Sequence, residues 1–82
     1  MANVVAQIRV MPQDMEAFEK MKNEIEKKIK PYRIEEVPIA FGLKAIRITL
    51  LLEDDAGFTK IEEQIRNLDG VGEIEVEQVS RI

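Results

Sequence analysis

The side chains of this sequence that can carry chemistry are its charged ones. Histidine and cysteine are absent, and Ser80 is the single serine. A Ser-His-Asp triad, a thiolate nucleophile, a cysteine-based metal site and a disulfide framework are therefore all excluded. The side chain that most often moves protons near neutral pH is missing as well. Carboxylate and lysine chemistry remain open. Asp54-Asp55, at a break between elements, has two readings. It is a ligand pair for a hard cation, or it is two acids just ahead of a helix N-terminus, where the dipole favours negative charge by roughly 0.3–1 kcal/mol each. The second reading needs no further ligand and is preferred.

These residues sit in an 82-residue chain that is 45% apolar and 34% charged, with twelve Lys and Arg against sixteen Asp and Glu and a net charge of −4. That balance is globular rather than disordered. A chain of this size forms one domain, residues 1–82, and buries roughly 60–65% of its unfolded surface. An acidic chain is poorly suited to tracking a nucleic-acid backbone, where basic surface does the binding. The longest apolar run, Ile46 to Leu52, is broken by Arg47 and Thr49 and falls short of the ~20 residues of a membrane span. The N-terminus lacks a basic start and apolar stretch, and Ala2 stands where myristoylation needs glycine. A cytoplasmic protein without membrane or direct nucleic-acid partners is expected.

The hydrophobic periodicity divides the chain. Val4, Ala6, Ile8 and Val10 alternate with Val5, Gln7 and Arg9 as in a half-buried strand, ended by Pro12. Asp14 stands at a helix N-cap. Met15, Phe18, Met21, Lys22, Ile25 and Ile29 then follow helical spacing to about Lys30, before Pro31, with Lys22 the one polar intruder. Glu16–Lys20, Glu24–Lys28 and Glu26–Lys30 are favourable i,i+4 pairs on a solvated face. Tyr32 to Val37 reads as a weaker strand, demoted to an edge by Pro38. Leu43 to Glu53 is the best strand in the chain. Phe58, Ile61, Ile65 and Leu68 mark a second helix, with Thr59 and Glu62 as a candidate capping box and Gly70 as a candidate left-handed C′ residue. The last strand runs from Gly72 to about Val79, with Ile74 and Val76 facing in.

The order βαββαβ with two amphipathic helices predicts a ferredoxin-like α+β sandwich. Both helices cover one face of a four-stranded antiparallel sheet. Right-handed crossovers set the strand order 4-1-3-2. The two most hydrophobic strands then lie in the centre, with proline and glutamates at the edges.

Such a fold hosts many functions and supplies none by itself. The helix-free face is expected to carry Gln7, Arg9, Arg47, Thr49, Glu75 and Glu77. It lacks the aromatics on which an RNA-recognition domain stacks bases. A metal-ferrying domain of this topology would use a cysteine pair. An acyl-phosphate hydrolase would need a Gly-rich anion loop after the first strand, where Val10-Met11-Pro12-Gln13-Asp14 stands instead. Met11, Met15 and Met21 read as core and rim filling. The informative segment is Val37-Pro38-Ile39-Ala40-Phe41-Gly42-Leu43-Lys44. Phe41 either folds back to cap the core, or projects as an anchor for a partner's pocket. Gly42 permits a turn or a close approach.

In this segment and around it, the chain resembles the archaeal translation elongation factor 1-beta family, and the C-terminal exchange domain of the eukaryotic beta subunit. The resemblance spans nearly the whole chain. It rests on Asn3-Val4-Val5-Ala6 with Val10-Met11-Pro12, on Pro38-Ile39-Ala40-Phe41-Gly42-Leu43-Lys44, on Glu53-Asp54-Asp55, and on Gly70-Val71 with Glu75-Val76. The middle motif is the specific one. The resemblance implies the ferredoxin-like fold already reached from periodicity. It also implies guanine-nucleotide exchange on the GTPase elongation factor 1-alpha, met in its GDP and nucleotide-free forms. Exchange makes no covalent bond, so the resemblance implies neither an enzyme of covalent chemistry nor a cofactor. Phe41, Gly42 and Lys44 are then the GTPase contacts. Arg81, followed by Ile82, matches the cationic position next to the C-terminus that approaches the Mg²⁺ site of the GTPase. Eukaryotic members carry lysine there, and arginine keeps the charge but is planar and larger. The plainer reading of Arg81 is a solvated terminal charge. The competing class is an ACT-like regulatory module that binds a small molecule, which would need a Gly-rich ligand loop after its first strand. A purely structural subunit is a third class.

Overall fold

In the computed structural model of the protein, which describes residues 4–53 and 55–81 (backbone only at Asp55 and Ala56), the period-two segment forms strand β1, Val4–Pro12. Val4, Ala6, Ile8 and Val10 are fully buried, while the residues between them are half-exposed. Strand β2 is Arg33–Pro38, β3 is Lys44–Leu52 and β4 is Val71–Arg81. They form one antiparallel sheet in the order β2-β3-β1-β4, which is the expected 4-1-3-2 order read from the other edge. The two most apolar strands occupy the centre. Pro38, which lacks an N–H for the ladder, lies at the end of an edge strand.

The first helical segment is not uniform. Asp14 Oδ1 accepts the Ala17 N–H at 2.9 Å, as an N-cap should. A 3-10 turn, Met15–Ala17, leads into helix α1, Phe18–Glu24, and a π-helical turn, Ile25–Ile29, finishes it. The Lys30 N–H donates to Ile25 O at 3.1 Å, and Lys30 takes φ 52 and ψ 60. Pro31 explains the exit. Its ring disfavours the right-handed helical region for the residue before it, so the chain leaves the helix at Lys30. The regular helix expected to that point is corrected accordingly. Of the three expected i,i+4 pairs, Glu24–Lys28 closes at 3.4 Å.

Helix α2, Asp55–Arg66, begins earlier than its apolar spacing suggested. Thr59 is its fifth residue, so the expected capping box is not formed there. Asp54 lies outside the described residues. Gly70, in the turn before β4, has the expected positive φ, at 88°.

Both helices pack on one face of the sheet. Phe18, Met21, Ile25 and Ile29 meet Ile8, Val10, Ile46, Ile48 and Leu50 in one cluster with Ile65 and Val71, and Phe58, Ile61 and Leu68 close its border. Truncating Ile8 or Ile48 to alanine there should cost about 2–5 kcal/mol. The cover is incomplete over β4. Val76 pairs with Ile8 and shares its face, yet is 40% exposed; Val79 is 47% exposed. The expectation that Val76 faces inward holds for its direction but not for its burial, because β4 is an edge strand that the helices only partly reach.

Two bulges shape β4. Register passes from Gln7–Gln78 to Ile8–Val76, leaving Glu77 as the extra residue, and from Met11–Glu73 to Pro12–Val71, leaving Gly72. A Cβ on Gly72 would stand 2.9 Å from Pro12 O, so the second bulge demands a residue without one.

Candidate functional site

The link between β2 and β3 is a tight hairpin. The Ile39 N–H donates to Leu43 O at 2.7 Å, and the Leu43 N–H donates to Ala40 O at 3.3 Å. Between them Phe41 has φ 63 and ψ 32, and Gly42 has φ 75. Positive φ at both central residues is the signature of a type I′ turn, whose twist suits a hairpin. Gly42 takes that conformation at no steric cost, and its missing Cβ would meet nothing within 4 Å. Phe41 pays for it: a left-handed non-glycine residue costs roughly 1–2 kcal/mol.

Phe41 is 97% exposed. It does not cap the core, so of its two sequence readings only the projecting one is compatible with the structure. Its neighbourhood is apolar. Leu43 is 45% and Met15 37% exposed, and a shallow groove of about 150 Å³ lies beside the turn, lined by Met11, Pro12, Met15, Ile39, Leu43 and Lys44 among others. The methionines thus divide. Met21 is core, as expected, whereas Met11 and Met15 form the rim of this groove.

Lys44 lies on the helix side of the hairpin. Its Nζ is 3.6 Å from Glu36 Oε1 and 5.9 Å from the centroid of the Phe18 ring. Glu36 Oε2 also accepts from Lys22 Nζ at 2.9 Å. The bond from Lys22 and its charge hold the Glu36 carboxyl below the usual carboxylate range, with Lys44 adding to the effect; Lys22 is raised in return by Glu36. Sequence reasoning missed Glu36. Its signal was Lys22, the polar intruder on an apolar helix stripe, which needed a partner on the sheet.

Arg81 is placed elsewhere. It pairs with Val4 at the start of β1, whereas the Phe41 turn lies beyond the Pro38–Lys44 pair near Pro12, at the other end. Nine residues of β1 separate the two ends, about 26 Å of strand at ~3.3 Å per residue. Phe41, Gly42 and Lys44 are brought together; Arg81 is not among them. Ile82 lies outside the described residues.

The helix-free face carries the expected polar set. Arg9 pairs with Glu75, and Arg47 Nε donates to Glu77 Oε1 at 2.7 Å across the intervening strand. The bulge sets Glu77 within that reach. The hydrogen bond lowers the Glu77 carboxyl and raises the Arg47 guanidinium, the two charges adding to it. None of the four strands contains an aromatic residue. Among the described residues, no three His, Cys, Asp or Glu side chains converge as a metal site, and no helix is long and apolar enough to cross a membrane. The connection after β1 has Asp14 occupied with its helix cap and presents no Gly-rich ligand loop.

Comparison with known proteins bears on this arrangement. Residues 5–82 match the family described as the EF-1 guanine nucleotide exchange domain. The chain is 40% identical to elongation factor 1-beta of Staphylothermus marinus over 91 aligned positions, covering 100% of this chain and 99% of that one. It is 39% identical over 88 positions to elongation factor 1-beta of Methanothermobacter thermautotrophicus, again covering 100% and 99%. Against elongation factor 1-beta of Pyrococcus furiosus the identity is 41% over 87 positions, covering 98% and 96%.

Proposed function

The chain belongs to the elongation factor 1-beta family of guanine nucleotide exchange domains, and on that premise we propose that residues 1–82 act as a single exchange module that promotes GDP release and GTP rebinding on elongation factor 1-alpha. The observation that carries the proposal is Phe41. A large apolar side chain is held almost fully in water, on a backbone conformation that costs energy. Docking into a pocket of the GTPase recovers that exposure, at roughly 1.5–3 kcal/mol for a fully buried Phe. Gly42 and Lys44 complete the contact.

The mechanism is linkage. A factor that binds the nucleotide-free GTPase more tightly than the GDP form weakens GDP binding by the same ratio. Mg²⁺ in the GTPase neutralises the β-phosphate of GDP. Arg81 brings a second cation toward that ion's site and so weakens the nucleotide's hold. The two contacts stand about one strand length apart, so they engage two separate regions of the GTPase. No bond to this chain forms or breaks, in keeping with a sequence that lacks His and Cys. It is an exchange factor of the cytoplasm rather than a catalyst of covalent chemistry.

The test is the release of a fluorescent GDP analogue from purified elongation factor 1-alpha at millimolar Mg²⁺ with excess unlabelled nucleotide. Dose-dependent acceleration by this protein is the expected result. No acceleration with the cognate GTPase overturns the proposal.

A further inference from the structure

Glu36 stands on one side of the hairpin stem, two residues before Pro38; Lys44 is the first residue of the other side. The two carboxylate oxygens of Glu36 serve different lysines. Oε1 lies 3.6 Å from Lys44 Nζ and closes the stem, while Oε2 accepts from Lys22 Nζ at 2.9 Å and ties the stem to α1. Lys44 Nζ is further held over the ring of Phe18, a core residue only 4% exposed, where a cation is attracted to the aromatic face. The chain from turn to core is therefore continuous: Lys44, Glu36 and Lys22 on one path, Lys44 and Phe18 on another.

The turn needs such support. Backbone hydrogen bonds from Ile39 N–H to Leu43 O and from Leu43 N–H to Ala40 O help close it, and it carries two consecutive residues at positive φ, one of them Phe41. Strained backbone persists where its surroundings over-determine it. A loop already held in its docking conformation gives up less freedom on binding. We propose that Lys22, Glu36 and Lys44 form a stem clamp that preorganises Phe41, and that Glu36 is a positioning residue for exchange, acting through Phe41 without touching the nucleotide. The inference rests on the reading of Phe41 as the GTPase contact.

An isolated exposed ion pair contributes little. The clamp differs in being a three-residue network anchored on a buried ring, and in Lys22 occupying the helix face that otherwise holds the core.

The experiment combines exchange kinetics with backbone ¹⁵N relaxation on the full chain, for wild type, Glu36→Gln, Lys22→Gln, Phe41→Ala and the double variant Glu36→Gln/Phe41→Ala. Glu36→Gln should raise the half-saturating concentration for GDP release about two- to fivefold, with the saturated rate unchanged, in line with the loss of a networked surface ion pair. Amide order parameters at residues 40–42 should fall. Lys22→Gln should act in the same direction and guards against a Glu36 variant that folds poorly. In the Phe41→Ala background, Glu36→Gln should have no further effect on half-saturation. Unchanged half-saturation and loop order in folded Glu36→Gln would overturn the clamp, as would an equal loss in the Phe41→Ala background. If wild type fails to accelerate GDP release, the exchange reading falls by itself, and the order parameters still decide whether the clamp holds the turn.

Discussion

The two ends of β1 expose their candidate residues on different physical terms. Near Pro12, Phe41 is held in water by a turn that is itself strained. Both the solvent exposure and the backbone conformation run against the stability of the free protein. Near Val4, Arg81 ends an edge strand as an exposed cation, which is where arginines ordinarily sit. Exposure is therefore informative at the first end and uninformative at the second. A fold that spends energy to present a side chain points to a use for it; an exposed charge does not.

Phe41→Ala is the strongest test of this contrast. It should weaken binding to elongation factor 1-alpha about 10- to 100-fold, the loss expected from roughly 1.5–3 kcal/mol of Phe burial, with the melting temperature little changed. A large drop in melting temperature with intact exchange would reverse the assignment of the loop end. Arg81→Ala should slow GDP release at saturation about three- to tenfold, the effect of losing one close charge, with half-saturation nearly unmoved. Kinetics indifferent to Arg81→Ala would leave the Val4 end without a role, and recovery with Arg81→Lys would identify charge as the requirement.

Gly42→Ala comes next. The added Cβ meets open space, so the cost is backbone strain alone, about 1–2 kcal/mol. The melting temperature should fall by roughly 4–8 °C per kcal/mol in a domain of this size, and GTPase binding should weaken only a few-fold. A Gly42→Ala protein with unchanged thermal stability would show that the turn can relax.

The smallest expected effect is on acid stability. Glu36 and Glu77 titrate below the ordinary carboxylate value of 4.5 in the folded protein. Near that pH the unfolded chain binds more protons, so stability rises with pH. Their contribution is present above about pH 4.5 and is lost as pH falls through the folded values. Lys22, raised above 10.5, sets the opposite limit, contributing below that value and losing its contribution as pH rises through its folded one. Thermal melts between pH 6 and pH 3 should show the acid loss, damped by salt. Glu36→Gln and Glu77→Gln should each flatten part of it, but acid should loosen residues 40–42 only through Glu36. Loosening through Glu77 as well would mean the two regions are coupled.

Much of this was legible beforehand because it depends on local period. Alternation in Val4–Val10 and Ile46–Leu52 identified the central strands, and Pro38 marked an edge. The segment around Phe41 also stood out from its composition. The first-helix unwinding was less visible, because a π-turn leaves the spacing of Ile25 and Ile29 intact while changing the hydrogen bonds beneath. The start of α2 was misjudged because its first residues carry no apolar periodicity. Val76 was assigned correctly by direction, but its exposure depends on how far the helices extend over β4.

By itself, then, the sequence determined the element order, the sheet topology, the family and the absence of His and Cys. The order and topology follow from residue type and spacing, and the family from the resemblance of its motifs, all of which the chain carries in one dimension. The tertiary structure decided what depends on distance between remote segments. It left Phe41 in solvent rather than against the core, joined Lys22 to Glu36 and Lys44, carried Arg47 across β1 to Glu77, and set Arg81 at the end of the sheet opposite the Phe41 turn. These are through-space relations, fixed only when strand register and helix packing bring distant residues within a few ångströms.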